Sequence, residues 1–157
     1  MAEIIIKNLR KEFGAFTAVE SSSFRIQDGE FFMLLGPSGC GKTTTLRMIA
    51  GLELPTSGSI YIDGEEVSQK RASQRDIAFV FQMFALYPHM NVRKNISYPL
   101  VSQGLPRRQV NEKVEEVASI LGITELLDKR VGGLSGGDRQ RVALGRAIVR
   151  NPKCFLM

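Results

Sequence analysis

Gly36-Pro37-Ser38-Gly39-Cys40-Gly41-Lys42-Thr43 is the stretch that decides the fold. It fits the pattern G-x-x-x-x-G-K-[ST] without a gap. Glu30-Phe31-Phe32-Met33-Leu34-Leu35 before it is an apolar run that predicts a buried strand, and Thr44-Thr45-Leu46-Arg47-Met48-Ile49-Ala50 after it predicts a helix closed by Gly51. A strand, a glycine-rich turn and a helix start make a cradle for phosphate: the glycines let backbone N–H groups turn inward, and the helix dipole favours an anion. Lys42 is then placed to neutralise the outer phosphates, and the Thr43 hydroxyl to ligate Mg²⁺. The residues point to a nucleoside triphosphate.

Working outward, Ile4-Ile5-Ile6-Lys7-Asn8-Leu9 and Ser23-Phe24-Arg25-Ile26 predict strands, with Gln27-Asp28-Gly29-Glu30 as a turn. Pro55-Thr56-Ser57-Gly58 breaks the chain before a strand at Ser59-Ile60-Tyr61-Ile62, which Asp63-Gly64 ends as a favoured turn pair. Asp76-Ile77-Ala78-Phe79-Val80-Phe81 predicts a strand buried on both faces. From about residue 88 the pattern turns helical. Val110, Val114, Val117 and Leu121 share one helical face, Gly122 closes it, and Thr124-Glu125-Leu126-Leu127 begins a short helix. Gly132-Gly133-Leu134-Ser135-Gly136-Gly137 precedes a helix expected over 138–150, and a strand is expected over 153–157.

Whole-chain quantities permit this reading without singling it out. At 157 residues the chain suits one domain. Its 21 basic and 16 acidic residues give +5, a balance compatible with nucleic acid, an anionic membrane surface or neither. No run approaches the ~18 apolar residues that span a bilayer, and the N-terminus lacks the pattern of a secretory signal. Cys40 and Cys154 offer neither zinc spacing nor a disulfide framework, so a cytosolic setting is expected. Cys40, beside Lys42, is a candidate for alkylation that blocks nucleotide.

The second motif is Leu134-Ser135-Gly136-Gly137-Asp138, followed by Arg139-Gln140-Arg141-Val142-Ala143-Leu144-Gly145-Arg146-Ala147. Physically it is another glycine-rich turn at a helix start, able to present N–H groups and a hydroxyl to phosphate. It resembles the signature of the ATP-binding-cassette ATPases, usually L-S-G-G-Q. The resemblance covers essentially the whole chain and is nearest to ATPase subunits of bacterial importers for sugars and related small solutes. Position 138 departs from the pattern, with Asp where glutamine is usual; a carboxylate is favourable at a helix N-terminus, and Asp138 is expected to turn to the cap.

The resemblance implies an α/β fold: a P-loop nucleotide-binding core with an N-terminal antiparallel β subdomain and an inserted α-helical subdomain, incomplete at the C-terminus. Residues 1–157 would form a single partial domain, with 1–87 and 139–157 as core and 88–138 as the helical subdomain. The cofactors implied are ATP and Mg²⁺. Phe13 would stack on adenine, Gly36 through Thr44 (Gly36, Pro37, Ser38, Gly39, Cys40, Gly41, Lys42, Thr43, Thr44) would hold phosphates, and Thr43 and Gln82 would meet the metal. Lys42 and Gln82 would act in catalysis.

Leu134, Ser135, Gly136, Gly137 and Asp138 would close over ATP held by a second copy in a head-to-tail dimer. Ala85-Leu86-Tyr87-Pro88-His89-Met90 would meet membrane permease subunits, placing the protein peripherally on the cytoplasmic face of the cell membrane. No nucleic acid is expected. The family's strand beginning at Cys154 ends in a magnesium-site Asp, followed by a catalytic Glu and later a switch His; this chain has none of them, and His89 lies upstream. It is therefore expected to be the N-terminal part of a transport ATPase, inactive alone. The alternatives are a soluble relative acting on nucleic acid or the ribosome, against which the compact interval from Thr43 to Leu134 argues, and a non-catalytic nucleotide-binding fragment.

Overall fold

β1 (Ile4–Phe13) turns back through Gly14-Ala15 into β2 (Phe16–Ile26), and β3 (Ser57–Ile62) pairs antiparallel with the other edge of β1. With the short β4 (Glu65–Glu66) the sheet order is β2-β1-β3-β4. The isoleucines set the register: Ile4 lies opposite Ile62 and Ile6 opposite Ile60, and all four are buried. With Leu9, and with Met48 and Ile49 of α1 (Lys42–Ala50), they supply the core of the first unit. The computed structural model describes residues 2–157. Its first compact unit runs to Ile77 and includes Leu156; the second comprises Ala78–Phe155 with Met157.

Two backbone devices shape this sheet. Asp63 (φ 51°) and Gly64 (φ 77°) are both left-handed and link β3 to β4, the mirror-image turn that the pair predicts. At Asn8 (φ 48°) the β1–β3 register slips between Lys7 and Arg10, and there Gly58 lies so close that a Cβ would stand 2.3 Å from the Asn8 carbonyl oxygen. The far end of α1 is closed by Gly51 (φ 73°) and by the buried Arg75. Arg75 donates to the carbonyls of Met48 (2.6 Å), Ile49 (2.9 Å), Lys70 (2.9 Å) and Ser68 (3.1 Å), so the cation meets the negative end of the helix. Burial pushes its pKa below the ordinary arginine value.

The predicted strand over residues 30–35 is corrected. The segment joins neither sheet, and Phe31 (81%), Met33 (59%) and Leu35 (81%) are exposed. A strand exists only where its N–H and C=O groups find a ladder, and neither sheet among the described residues offers one. The period-two pattern nevertheless acts on one side, where Phe32 stacks on Phe24 of β2 at 5.1 Å and 10°.

In the second unit, α2 (Val92–Ser102), α3 (Arg107–Ile120) and α4 (Gly136–Ile148) surround a core of Val92, Ile96, Leu100, Val110, Val114, Val117, Ile123, Leu134 and Val142. The predicted face of α3 is the buried one, with Leu121 packed at its edge. Gly145 lets α4 lie close to α2: a Cβ there would meet Ile96 Cδ1 and Leu121 Cδ1 at 3.2 Å. Within the helical region expected from residue 88 the sequence reading did not single out α2, which carries Pro99 internally and starts from Asn91, whose side chain accepts the Lys94 N–H at 2.9 Å. The predicted 76–81 strand shortens to β5 (Ile77–Phe79), paired with β6 (Cys154–Leu156), because both are only three residues long and Asp76 is left-handed. No helix among the described residues is long and apolar enough to cross a membrane.

Candidate nucleotide site

The glycines of the phosphate-loop motif take conformations that other residues resist: Gly36 has φ 155°, Gly39 85° and Gly41 89°. Two of them are also places of close approach. A Cβ on Gly36 would sit 2.7 Å from Cys40 Sγ, and one on Gly41 would sit 2.4 Å from the Ala18 carbonyl oxygen and 2.9 Å from Val19 Cγ2. Gly41 thereby seats the loop on β2, and it is also the N-cap of α1. As a glycine it supplies no side-chain cap, so nothing on residue 41 competes with an anion for the first-turn N–H groups. Thr45 bonds back to the Gly41 carbonyl through both N–H (2.8 Å) and hydroxyl (2.9 Å), which fixes the turn from loop to helix.

Lys42 folds over this loop. Its ammonium donates to the carbonyls of Gly36 (2.7 Å) and Pro37 (2.6 Å) and lies 3.4 Å from Cys40 Sγ. The positive charge is thus held at the mouth of the loop, on partners that an incoming phosphate oxygen can replace. Ser38, Gly39, Cys40 and Thr43 are exposed, and Thr44 is half-buried. The residues fit a phosphate chain: a glycine cradle, an uncapped helix start and a lysine. They also fit a hard cation carried by that chain, since Thr43 offers a free-standing hydroxyl. No group of three His, Cys, Asp or Glu side chains suited to bind a metal occurs among the described residues, so phosphate oxygens would complete the metal's shell. Phe13 ends β1 opposite Phe16, half-exposed, with Lys11 Nζ 4.7 Å above its ring.

The remaining candidate residues belong to the second unit. Ser135 caps α4, which begins two residues earlier than expected, at Gly136. Its hydroxyl accepts the Asp138 N–H at 3.1 Å and donates to Asp138 Oδ2 at 2.7 Å. Asp138 therefore turns to the cap, as expected, with Arg141 Nη1 3.6 Å away. Leu134 is buried and anchors the turn, while Gly136 and Gly137 are exposed with open space around them. Gln82 is exposed on the segment after β5.

Sequence reading missed the polar groups that hold this segment. Asn95, fully buried on α2, grips Tyr87 by both main-chain groups, accepting from its N–H (2.8 Å) and donating to its carbonyl (3.1 Å). Arg146 of α4 donates to the Phe84 carbonyl at 3.1 Å and lies over the Tyr87 ring at 5.2 Å. Burial pushes the Arg146 pKa down, and Tyr87 acts the other way. Nothing in an arginine-rich helix or a polar stretch marks these two positions in advance.

Comparison with known proteins agrees with this geometry. The family model described as "ABC transporter" matches residues 19–157. The trehalose/maltose import ATP-binding protein MalK of Thermococcus litoralis is 55% identical over the whole chain, which covers 44% of that protein. The trehalose import ATP-binding protein SugC of Mycobacterium tuberculosis is likewise 55% identical, with 40% of it covered. The sn-glycerol-3-phosphate import ATP-binding protein UgpC of Rhodopseudomonas palustris is 52% identical over 99% of the chain, which covers 43% of it. The chain thus spans roughly two fifths of the length of these relatives. Among solved structures, a nucleotide-free ATP-binding cassette from an ABC transporter superposes with TM-score 0.85 at 27% identity, covering 99% of this chain and 68% of that one. A glycine cradle with its lysine, a serine-capped glycine turn opening α4, and a family match from residue 19 to residue 157 lead to one assignment: the chain belongs to the ABC transporter family.

Proposed function

We propose that this chain is the nucleotide-binding portion of an energy-coupling ATPase that drives import of a carbohydrate or related small solute. The observation that carries the reading is the Gly36–Thr43 loop, where left-handed glycines, an uncapped helix start and the Lys42 ammonium lie together on one short stretch of chain. The import roles in the names of the relatives supply the solute class.

In this reading the loop amides and Lys42 hold the β- and γ-phosphates of ATP, Thr43 and Gln82 meet Mg²⁺, and the exposed face of Phe13 receives the base. Bound Mg²⁺ supplies neutralisation of phosphate charge. Ser135, Gly136 and Gly137 present a second anion-binding helix start to nucleotide on a head-to-tail partner. The segment Ala85 to Met90 meets the permease, so the ATPase works peripherally at the cytoplasmic face of the membrane, and residues 88–138 act as the helical subdomain. No nucleic acid is needed. After Asp138 the chain carries no carboxylate side chain, so the 157 residues alone bind nucleotide without turning it over.

Calorimetric titration of the chain with Mg·ATP tests this. Saturable binding that falls at least about tenfold in Lys42→Ala, with an unchanged circular dichroism spectrum, is expected from losing a charge-assisted contact. Equal binding by Lys42→Ala, or none by the parent chain, overturns it.

A further inference from the structure

Phe84 has φ 61° and Ala85 φ 46°, two consecutive non-glycine residues in the left-handed region. The Ala85 N–H bonds back to the Met83 carbonyl at 2.7 Å and the Phe84 N–H to the Phe81 carbonyl at 2.8 Å, so the chain makes a tight turn of the rare hand around Phe84. Such a conformation persists only where the surroundings over-determine it. Here the surroundings are identifiable. Downstream, Asn95 fixes the Tyr87 main chain from α2. At the turn itself Arg146 reaches from α4, spends one guanidinium N–H on the Phe84 carbonyl and sets its Cζ over the Tyr87 ring.

We propose that Arg146 is the positioning residue of the Phe81–Tyr87 turn, holding Gln82 and the segment from Ala85 in fixed register with the helix that Ser135 opens. Arg146 stands on the same helix as that serine, 11 positions later (146 − 135), so a displacement of α4 is handed directly to the turn. The inference rests on packing within the second unit and takes from the ATPase reading only the purpose of Gln82.

Residue-resolved amide hydrogen exchange of the 157-residue chain, without nucleotide, tests it in the parent, Arg146→Gln and Arg146→Lys. In Arg146→Gln the Phe84 and Ala85 amides are expected to exchange about tenfold faster, the size of one charge-assisted hydrogen bond. The amides of Val142 to Gly145 keep their protection. Arg146→Lys, which can still donate to the Phe84 carbonyl, recovers part of the loss. Unchanged exchange of Phe84 and Ala85 in both variants overturns the proposal. Acceleration shared evenly by α2, α3 and α4 also overturns it, since that marks general packing. If Arg146→Gln does not fold, Arg146→Lys read by the same two criteria decides. Because no nucleotide is present, failure of the chain to bind ATP overturns the ATPase reading and leaves this result standing.

Discussion

Ser135 and Asp138 close on each other at the start of α4, the hydroxyl of one accepting the N–H and donating to the carboxylate of the other. This reciprocal pair explains how an Asp stands where the family pattern has glutamine: its charge serves the helix start and faces Arg141. Ser135→Ala is expected to lower the unfolding free energy by about 1 kcal/mol, the usual worth of an N-cap. Asp138→Gln keeps an oxygen for the Ser135 hydroxyl but loses the charge, and is expected to cost about 0.3–1 kcal/mol. Urea denaturation of the two variants checks the order. Under the proposed ATPase role, Asp138→Gln should leave ATP turnover within about twofold, as expected of a surface charge already engaged with its own helix; a large gain means the carboxylate opposes nucleotide instead.

What the sequence disclosed and what it hid divide along a physical line. Local chemistry was legible. The Gly36–Thr43 pattern, the Asp63-Gly64 turn, the valine stripe of α3 and the Ser135 cap each depend on residues within one or two turns of chain. Features set by distant partners were not. The run at residues 30–35 is strand-like in composition, yet it lacks a ladder, because pairing is decided by other segments. α2 was hidden by Pro99, which tertiary packing of Val92, Ile96 and Leu100 overrides. The roles of Arg75, Asn95 and Arg146 show only once their carbonyl partners, up to 62 residues away, are placed.

Two glycines of the first unit separate backbone strain from crowding. Gly58 and Gly64 are both left-handed, at φ 89° and 77°, but a Cβ at Gly58 would enter the Asn8–Leu9 backbone while one at Gly64 would meet open space. Gly64→Ala is expected to cost about 1 kcal/mol, the left-handed penalty alone. Gly58→Ala adds displacement of β1 and is expected to cost about 3 kcal/mol or more. Equal losses in chemical denaturation would show that β1 yields freely at Asn8.

The two cysteines should react at different rates, because one is exposed and the other is not. Cys40 is exposed beside Lys42, whereas burial raises the Cys154 thiol above its ordinary 9.0. At pH 8 a disulfide reagent is expected to label Cys40 first and Cys154 only slowly until the chain unfolds, and saturating Mg·ATP should slow Cys40. The sign of the stability effect follows from Cys154. As pH rises through about 9 the unfolded thiol gives up its proton while the folded one retains it, so folding stability falls with pH in that window. Cys154→Ser should flatten this part of the profile, provided it is compared by urea melts from pH 8 to 10.

The bare side of residues 30–35 makes the last prediction. Phe32 is engaged with Phe24, but Phe31, Met33 and Leu35 alternate on the opposite side and are exposed, beside main-chain groups that belong to neither sheet. An extended segment with open N–H and C=O groups and an apolar side is a template for pairing with another chain. The isolated chain is therefore expected to self-associate with rising concentration. Phe31→Lys with Leu35→Lys should suppress this by placing two charges on the exposed positions, leaving the Phe24–Phe32 stack and the β1–β3 core untouched. Sedimentation velocity across a concentration series reads the outcome. A parent chain that stays monomeric shows that water satisfies this segment well enough. Association that persists in the double variant moves the contact elsewhere, to the exposed Val101 and Ile120 of the second unit as the next apolar surface to alter.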